Sequence, residues 1–250
     1  MMGTEMNMAE GLGGFFYVLG SIFSQYWYVI LIGAVAAYLI GSINTSIIVT
    51  RIVNHEDIRT MGSGNAGFTN VLRSVGKIPA IITFVGDFLK GVISALIAYL
   101  LIALFIPNAD LFLRSWLIYI IAFFCIVGHT YPIFYGFRGG KGVVTTASFM
   151  LMTDWRTLAV ALGIFAVVFL LTKTISKCAL VNAACFPIST FLLSYFIDTP
   201  NFEPTNAGVY LTIFKTFISL IIAVLVIYRH KDNIKRILNG TEKKITASKS

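Results

Sequence analysis

A short polar stretch at residues 61–73 separates two long apolar runs, and it combines three glycines with hydroxyl, amide and guanidinium side chains. Glycine adopts positive φ at little cost, so such a loop can turn successive backbone N–H groups inward as an anion cradle. Arg73 closes the stretch with a forked charge that matches phosphate. The stretch therefore predicts a phosphate-binding loop, with a simple glycine-rich turn as the alternative. The candidate ligands besides Arg73 are Gly62, Ser63, Gly64, Asn65, Gly67, Thr69 and Asn70.

A second polar stretch, residues 128–142, ends in Gly139, Gly140, Lys141 and Gly142. It resembles part of a Walker loop but lacks the Walker spacing, so nucleotide binding is not supported. Lys141 directly precedes the next apolar run, and the N-terminus of a helix there would add free N–H groups and a partial positive charge. This group predicts a second anion-binding loop; the alternative is that its basic residues only anchor the chain at the membrane interface.

A third stretch, residues 228–240, is basic and continues the last apolar run. If it is helical, His230 and Asn233 share one face, and both can donate hydrogen bonds. His230 can also change charge near neutral pH. The alternative is a basic amphipathic tail bound to anionic lipid, which we prefer for the lysines of this stretch and for Arg236.

Hydrophobic residues make up 57% of the 250-residue chain and charged residues only 12%, whereas a soluble domain has about 25% charged residues. Long apolar runs with so little charge predict an all-α integral membrane protein, without a nucleic-acid partner.

The three cysteines are typical of core residues, and the polar cluster at residues 55–57 has no second cluster to complete a metal site. We therefore predict neither disulfides nor a metal. The predicted spans are residues 26–50, 78–106, 111–128, 142–152, 157–171, 178–197 and 208–228.

The basic residues decide whether residues 142–152 cross, because this run is shorter than a usual span of about 17–25 residues. If all seven segments cross, fifteen of the nineteen lysines and arginines lie on one side; if this segment does not, the split is seven to ten. The positive-inside rule therefore favours seven transmembrane helices, with the N-terminus outside and the C-terminus in the cytoplasm. The chain then divides into a glycine-broken, interfacial extension (residues 1–25), a membrane domain (26–242) and a basic cytoplasmic tail (243–250).

This topology places all three polar stretches on the cytoplasmic face, which is typical of an enzyme at the membrane surface. A transporter more often carries its key polar groups near the midplane, where this chain has only Asp87, Lys90 and Lys215. Asp87 and Lys90 are one helical turn apart and predict an ion pair. Intramembrane charges are functional candidates by default, with a structural pair as the alternative. His129, at the end of its apolar run, is expected to orient the following loop rather than react.

Taken in order, these motifs resemble those of the bacterial membrane glycerol-3-phosphate acyltransferases that use acyl phosphate, the PlsY family. The chain departs from the family pattern at Asn44, where proline is usual, at Phe68, where a small residue is usual, and after Ser176, where a second serine is missing. None of these departures removes a group expected to act in catalysis. The matching segments are residues 41–43, 62–70, 87–91, 128–132, 139–143 and 228–233, within residues 26–242.

The resemblance implies a seven-helix bundle in the bacterial cytoplasmic (inner) membrane, with its active site on the cytoplasmic face. It implies transfer of a fatty acyl group from acyl phosphate to the 1-hydroxyl of glycerol 3-phosphate, giving lysophosphatidic acid and phosphate without a cofactor. The enzyme is expected to be a monomer surrounded by membrane lipid. The family's catalytic residues fall here on Ser63, Arg73, Lys141, His230 and Asn233.

Acyl phosphate is already activated, so positioning and electrostatic stabilisation can carry the transfer. We therefore expect direct attack by the glycerol hydroxyl, without an acyl-enzyme intermediate, and a fatty chain that lies among the helices. A transporter of a phosphorylated small solute is the alternative function.

Overall fold

Ten α-helices account for most of the computed structural model, which describes residues 11–202 and 205–244. No strand occurs in these ranges. Residues 1–10 and 245–250, which belong to the predicted extension and tail, lie outside the described residues. The helices are α1 (Gly11–Ser42), α2 (Thr45–Asn54), α3 (Phe68–Ser74), α4 (Lys77–Phe105), α5 (Leu111–Thr130), α6 (Val143–Thr153), α7 (Trp155–Thr172), α8 (Ile175–Leu193), α9 (Thr205–Arg229) and α10 (Lys231–Leu238).

Six helical segments of the described chain are long and apolar enough to cross a membrane, which confirms the predicted all-α membrane fold. The predicted span at residues 142–152 corresponds to α6, which has 11 residues. A helix of this length is only about 16 Å long, whereas the apolar core of a bilayer is about 30 Å thick. A seventh crossing therefore stays a prediction. The six segments are Gly13–Asn54, Lys77–Phe105, Leu111–Tyr135, Trp155–Thr172, Ile175–Asn201 and Asn206–Arg229.

The segment before residue 26 is helical from residue 11 onward and is not broken by its glycines, which corrects that part of the sequence prediction. It forms the first part of α1, and a kink at Tyr26 (φ −118°, ψ 18°) separates it from the rest of the helix. Phe15, Val18 and Ile22 are buried, and the Phe15 ring lies 5.9 Å from that of Trp116 in α5. Residues 11–25 therefore pack on the bundle through one apolar face, while their position at a membrane interface stays a prediction.

Helices α1 and α5 approach each other at backbone contact through two glycines. A Cβ on Gly41 would overlap the carbonyl of Cys125, and a Cβ on Gly128 would overlap the carbonyl of Tyr38. Small residues allow such close contacts in membranes, where packing rather than apolar burial holds helices together. The Tyr38 hydroxyl also donates a hydrogen bond of 2.9 Å to the carbonyl of Tyr131, just beyond α5. These contacts fix the end of α5, where the second polar stretch begins.

Asn44 lies at the break between α1 and α2 and caps the second helix. Its Oδ1 accepts hydrogen bonds from the Ile47 N–H (3.2 Å) and the Ser46 hydroxyl (2.6 Å). An N-cap side chain satisfies a helix N–H that would otherwise lack a partner. Asparagine thus supplies a side-chain cap that the proline usual at this position in the PlsY pattern would not.

An ion-pair cluster lies at the other end of the bundle from the polar stretches. Asp154 separates α6 from α7 and accepts the Arg156 N–H at 3.0 Å. The Arg156 guanidinium reaches Asp198 at 2.7 Å, and Lys215 of α9 reaches the same carboxylate at 3.2 Å. Lys215 lies about 21 Å before Arg229 along α9, given the rise of a helix. The cluster therefore ties the α6–α7 turn to the α8–α9 connection, far from the third polar stretch.

We expect Gly128→Ala to destabilise the fold, because the added Cβ meets the Tyr38 carbonyl and the backbone must move. Overpacking of this kind costs about 1–3 kcal/mol. Gly163→Ala in α7 is the matched control, since no heavy atom lies within 4 Å of its Cβ position and alanine favours a helix. Thermal unfolding in detergent should show a lower midpoint for the first variant only. Equal midpoints for the two variants would contradict the close contact.

Candidate active site

The three polar stretches line one open cavity of about 690 Å³. Small-molecule sites typically have volumes of about 300–1,000 Å³. The wall includes six residues predicted from the sequence to belong to the site, namely Ser63, Gly64, Asn65, Gly139, Lys141 and Asn233. The wall is also basic, because it carries six cationic side chains against two carboxylates, and such an excess attracts anions. The cations are Arg59, Arg138, Lys141, Arg229, Lys231 and Arg236, and the carboxylates are Asp57 and Asp232.

Asn70 organises the first glycine loop from inside. Its Oδ1 accepts the Ser63 N–H at 2.9 Å, and its Nδ2 lies 3.0–3.1 Å from three loop carbonyls to which it donates. The residue is only 4% exposed and does not line the cavity. Both ends of its amide are used by the loop itself, and its predicted contact with phosphate stays a prediction. The three carbonyls belong to Ile58, Met61 and Asn65.

The glycines of this loop allow its backbone conformation. Gly62 and Gly64 have φ values of +55° and +69°, which a residue with a side chain rarely adopts. Of the two, only Gly64 lies on the cavity wall. Gly67 and Thr69 are also away from the wall, so their predicted contacts with phosphate stay predictions.

Arg59 ties the first loop to the second. Its guanidinium binds Asp57 through two hydrogen bonds of 3.0 and 2.9 Å, and it donates to the carbonyls of Tyr135 (2.7 Å) and Arg138 (3.2 Å). The Arg59 hydrogen bonds lower the pKa of Asp57 to about 2, so the pair is charged at neutral pH. Sequence reasoning missed the role of Arg59, because its backbone partners lie more than seventy residues further along the chain.

Arg229 holds the second glycine loop in place by donating hydrogen bonds to carbonyl groups of the loop. Its guanidinium donates to Gly139 (2.9 Å) and Gly140 (3.3 Å) and lies 5.5 Å from the centre of the Tyr131 ring. Gly142 follows with φ +81° as the N-cap of α6. Because the loop is fixed on both sides of Lys141, this side chain is presented to the cavity.

Lys141 connects the second stretch to the third, because its ammonium donates a hydrogen bond to Oδ1 of Asn233. Burial, and then the charge of Arg236, lower the pKa of Lys141 from 10.5 to about 8. A nearby anion favours the charged form of a lysine, so a bound phosphate would restore this charge. Lys141 and Asn233 therefore form a cationic corner of the cavity, and its positive charge depends on the bound ligand.

Glu242, the last residue before the C-terminal tail, fixes the other side of this corner. Its carboxylate accepts hydrogen bonds from Asn233 (2.8 Å), from Ser176 (2.6 Å) and from Arg236 (2.6 Å). Burial alone would raise the pKa of Glu242, but these hydrogen bonds outweigh it and lower the pKa. Sequence reasoning missed Glu242, since a single acid in a basic tail carries no motif.

Arg73 lies beside the tail rather than on the cavity wall. Its side chain is exposed, and Nη2 donates to the Lys243 carbonyl at 3.1 Å. A guanidinium has several donors, so it can hold one carbonyl and still offer N–H groups to phosphate. Its predicted role in substrate binding stays a prediction.

His230 is 3% exposed, and its Nδ1 lies 2.7 Å from the carbonyl of Val226. Burial, and then the charge of Lys141, lower the pKa of His230 to about 4, so the ring is neutral at neutral pH. A neutral ring that donates its Nδ1–H to this carbonyl leaves Nε2 as a hydrogen-bond acceptor. His230 does not itself line the basic cavity and lies behind its wall.

A second, apolar cavity of about 90 Å³ lies among α6, α7, α8 and α9. Val143 and Val226 are at the end nearest the basic cavity, since Val143 is two residues after Lys141 and the Val226 carbonyl binds His230. An apolar space therefore lies directly behind the cationic wall. Its lining further along the helices includes Met150, Leu158 and Phe186.

Comparison with known proteins identifies the family. A family model described as glycerol-3-phosphate acyltransferase matches residues 31–240. The chain belongs to the glycerol-3-phosphate acyltransferase family. It is similar to the glycerol-3-phosphate acyltransferase of Clostridioides difficile (strain 630), with 41% identity over 220 residues that cover 88% of this chain and 97% of that one. The corresponding protein of Prochlorococcus marinus (strain MIT 9215) is 38% identical over 212 residues, covering 84% and 94%.

Two crystal structures of PlsY (YgiH), an integral membrane glycerol 3-phosphate acyltransferase, share the fold of this acyltransferase-family chain. The glycerol 3-phosphate form matches with a TM-score of 0.70 and 30% identity over 87% of this chain and 96% of that one. The lysophosphatidic acid form matches with a TM-score of 0.65 and 29% identity over 87% and 95%. These matches confirm the family resemblance inferred from the motifs.

The intramembrane charges of this acyltransferase-family chain do not support the transporter alternative. Lys90 pairs with Asp87 at 2.9 Å, and Lys215 pairs with Asp198 at 3.2 Å. None of these residues lines the basic cavity. The charges are therefore satisfied locally and do not extend the cavity toward the opposite face.

We expect Asn70→Ala to loosen the first glycine loop, because it removes the acceptor of the Ser63 N–H and the donor to three carbonyls. A neutral hydrogen bond contributes about 1 kcal/mol, so amide exchange at Ser63 should accelerate by roughly fivefold. Asn201→Ala is the control, since the Asn201 amide donates to the Ile197 carbonyl far from this loop. Hydrogen exchange read by mass spectrometry tests this, and unchanged protection of residues 62–67 would contradict the role assigned to Asn70.

Proposed function

We propose that this chain transfers a fatty acyl group from acyl phosphate to the 1-hydroxyl of glycerol 3-phosphate, giving lysophosphatidic acid and phosphate, as the first step of phospholipid synthesis. The basic cavity is the observation that carries the proposal, because Arg59 and the cations of the second and third polar stretches surround one small-molecule space. Both substrates bear a phosphate. Fixed cations also stabilise the charge that develops on a departing phosphate.

The five predicted catalytic residues divide into three roles. The side chain of Ser63, which lies on the cavity wall, holds one phosphate, while its N–H stays bound to Asn70. Lys141 and Arg73 neutralise phosphate charge, with Arg73 exchanging its bond to the Lys243 carbonyl for a substrate oxygen. His230 and Asn233 orient glycerol 3-phosphate or the acyl group, since both are buried and held by hydrogen bonds.

The chemical step is a direct displacement. The glycerol hydroxyl oxygen bonds to the acyl carbonyl carbon, and the bond from that carbon to the phosphate oxygen breaks. The electron pair leaves with the phosphate, which also takes up the hydroxyl proton. No cofactor or metal is required in this scheme, since the activated donor supplies the driving force and the site supplies position and charge.

Ser63 is assigned a positioning role rather than that of a nucleophile. A serine nucleophile needs an adjacent general base. The ring of His129 is bonded to Lys90 at 2.7 Å, and that of His230 to the Val226 carbonyl at 2.7 Å. The pKa of His230, lowered to about 4, also makes it a weak base. These observations support attack without an acyl-enzyme.

The apolar cavity is the proposed entrance for the fatty chain. It begins at Val143 and Val226, next to the cationic corner of Lys141 and Asn233. A substrate with a charged head and an apolar chain would place its acyl carbonyl at this boundary.

We also propose seven crossings, with the N-terminus outside and the site on the cytoplasmic face of a bacterial inner membrane. The Thr145 hydroxyl donates to the Asp87 carbonyl (3.4 Å), and the Tyr99 hydroxyl donates to the Met152 carbonyl (3.4 Å). Asp87 and Tyr99 are about 18 Å apart along α4, so α6 follows α4 through much of the bundle. The asymmetry of basic residues supports the orientation. We further propose that the chain acts as a monomer, as the family resemblance implies.

The decisive assay measures turnover by the purified protein without added metal. Glycerol 3-phosphate is supplied together with one acyl donor at a time, which is acyl phosphate, acyl-CoA or acyl carrier protein. We expect lysophosphatidic acid and phosphate from acyl phosphate alone. Lack of turnover with acyl phosphate would overturn the proposal, and uptake of labelled glycerol 3-phosphate into sealed vesicles would favour a transporter. Intact-protein mass spectrometry of the quenched reaction should show no acyl adduct. An acyl group trapped on Ser63 would contradict direct attack.

The pH profile tests the role of Lys141. Its pKa is lowered from 10.5 to about 8, so the side chain is charged below this value and loses its charge as pH rises through it. We expect kcat/KM to fall by roughly tenfold per pH unit above about 8, because kcat/KM reports groups of the free enzyme. Lys141→Arg keeps its charge and should give a flatter profile over the same range. A wild-type profile that stays level to pH 10 would contradict a charged Lys141 in catalysis.

A further inference from the structure

Three charged or titratable side chains that the proposed mechanism does not use are buried together behind the second glycine loop. Lys90 of α4 lies 2.9 Å from the carboxylate of Asp87 and 2.7 Å from Nδ1 of His129 in α5. The three side chains are 2–6% exposed. Lys90 also donates to the carbonyl of Ile43 at 3.3 Å, in the break between α1 and α2. This network therefore joins three elements around one buried ammonium.

The ammonium sets the orientation of the imidazole. A lysine ammonium can only donate, so Nδ1 of His129 accepts the hydrogen bond from Lys90 and the ring hydrogen is on Nε2. Asp87 supports this arrangement through the lysine, since its carboxylate binds the Lys90 ammonium at 2.9 Å and holds it in place. The ring is thus held by its Nδ1 edge, and its Nε2 edge faces the other way.

That Nε2 edge lies against Gly140. A Cβ on Gly140 would overlap both Nε2 of His129 and the carbonyl of Ala66. The Gly140 N–H also donates to the His129 carbonyl at 3.1 Å. The backbone of Gly140 is therefore in close contact with the imidazole and with the first glycine loop, one residue before Lys141.

We propose that the network of Asp87, Lys90 and His129 is a positioning device for acyl transfer, which holds Gly140, and through it Lys141, at a fixed distance from the first glycine loop. This inference rests on the proposed function. None of the three side chains touches the cavity, so they act through the loop and not on the substrate.

The other buried lysine of the membrane region offers a matched comparison. Lys215 is 7% exposed and pairs with Asp198 at 3.2 Å, whereas Lys90 is 5% exposed and pairs with Asp87 at 2.9 Å. The two lysines are alike in burial and in having a carboxylate partner, although the Asp198 side chain is 18% exposed and that of Asp87 only 2%. The pairs lie at opposite ends of the bundle. A general need for buried ion pairs would make both important to the same extent, whereas a positioning role makes only the first important for catalysis.

The main test is His129→Asn, which keeps both buried charges and an acceptor for Lys90 but removes the ring beside Gly140. We expect kcat at saturating substrates to fall by at least about tenfold, because a misplacement of ~1 Å can cost about a hundredfold. The thermal midpoint in detergent should stay close to that of the wild type. Lys215→Met is the control and should retain wild-type kcat. A merely structural role would lower the midpoint without lowering the kcat of the folded enzyme.

The double variant Asp87→Asn/Lys90→Met provides a second, independent test, since it removes both buried charges at once and leaves neither unpaired. It should show the same loss of kcat as His129→Asn. Wild-type kcat in His129→Asn or in the double variant would overturn the inference, as would an equal loss in Lys215→Met. Failure of the wild type to use acyl phosphate would instead overturn the proposed function, so the two failures are distinguishable.

Discussion

The backbone of Gly140 lies in close contact with both a carbonyl group and an imidazole ring, and this tight fit is the constraint on which the proposed site depends. The Ala66 carbonyl belongs to the first glycine loop and the His129 ring to the end of α5, so one residue of the second glycine loop contacts both. Helix α5 is itself held against α1 by backbone contact at Gly128. The packing of the membrane helices therefore determines where the loops lie. A rigid frame is needed because the cations of the wall repel one another across a cavity without a ligand.

The arginines of the site hold this frame together. Arg59 and Arg229 each donate to two backbone carbonyls of the second polar stretch, and Arg73 donates to the tail. The planar guanidinium carries several donors, so it can keep such a carbonyl and still present N–H groups to phosphate. Lys141 is different, because its pKa is lowered to about 8 and its charge responds to what is bound. The cavity thus combines permanent charges that build the frame with one charge that a phosphate ligand would stabilise.

The all-α membrane fold, the family and the three loops of the site could be predicted from the sequence, because apolar run length and glycine spacing are local properties. The roles of Asn70 and Asn233 could not be told apart. Both are asparagines in polar motifs, yet Asn70 turns into its own loop while Asn233 faces Lys141. Arg59 and Glu242 were missed because each is defined by partners far along the chain. Length alone was ambiguous for α6, whose crossing of the membrane stays a prediction that its contacts with α4 support.

The boundary between the two cavities explains how a site without a strong nucleophile can place its reacting atom. Val143 follows the second glycine loop and begins the wall of the apolar cavity, and Val226 lines that cavity while its carbonyl holds His230. The two residues therefore have polar groups of the site on one side and apolar space on the other. A substrate with a phosphate head and a fatty chain lowers its free energy most when each part lies in its own cavity. Its acyl carbonyl is then drawn to the boundary, beside Lys141 and His230, by the polarity of the substrate itself.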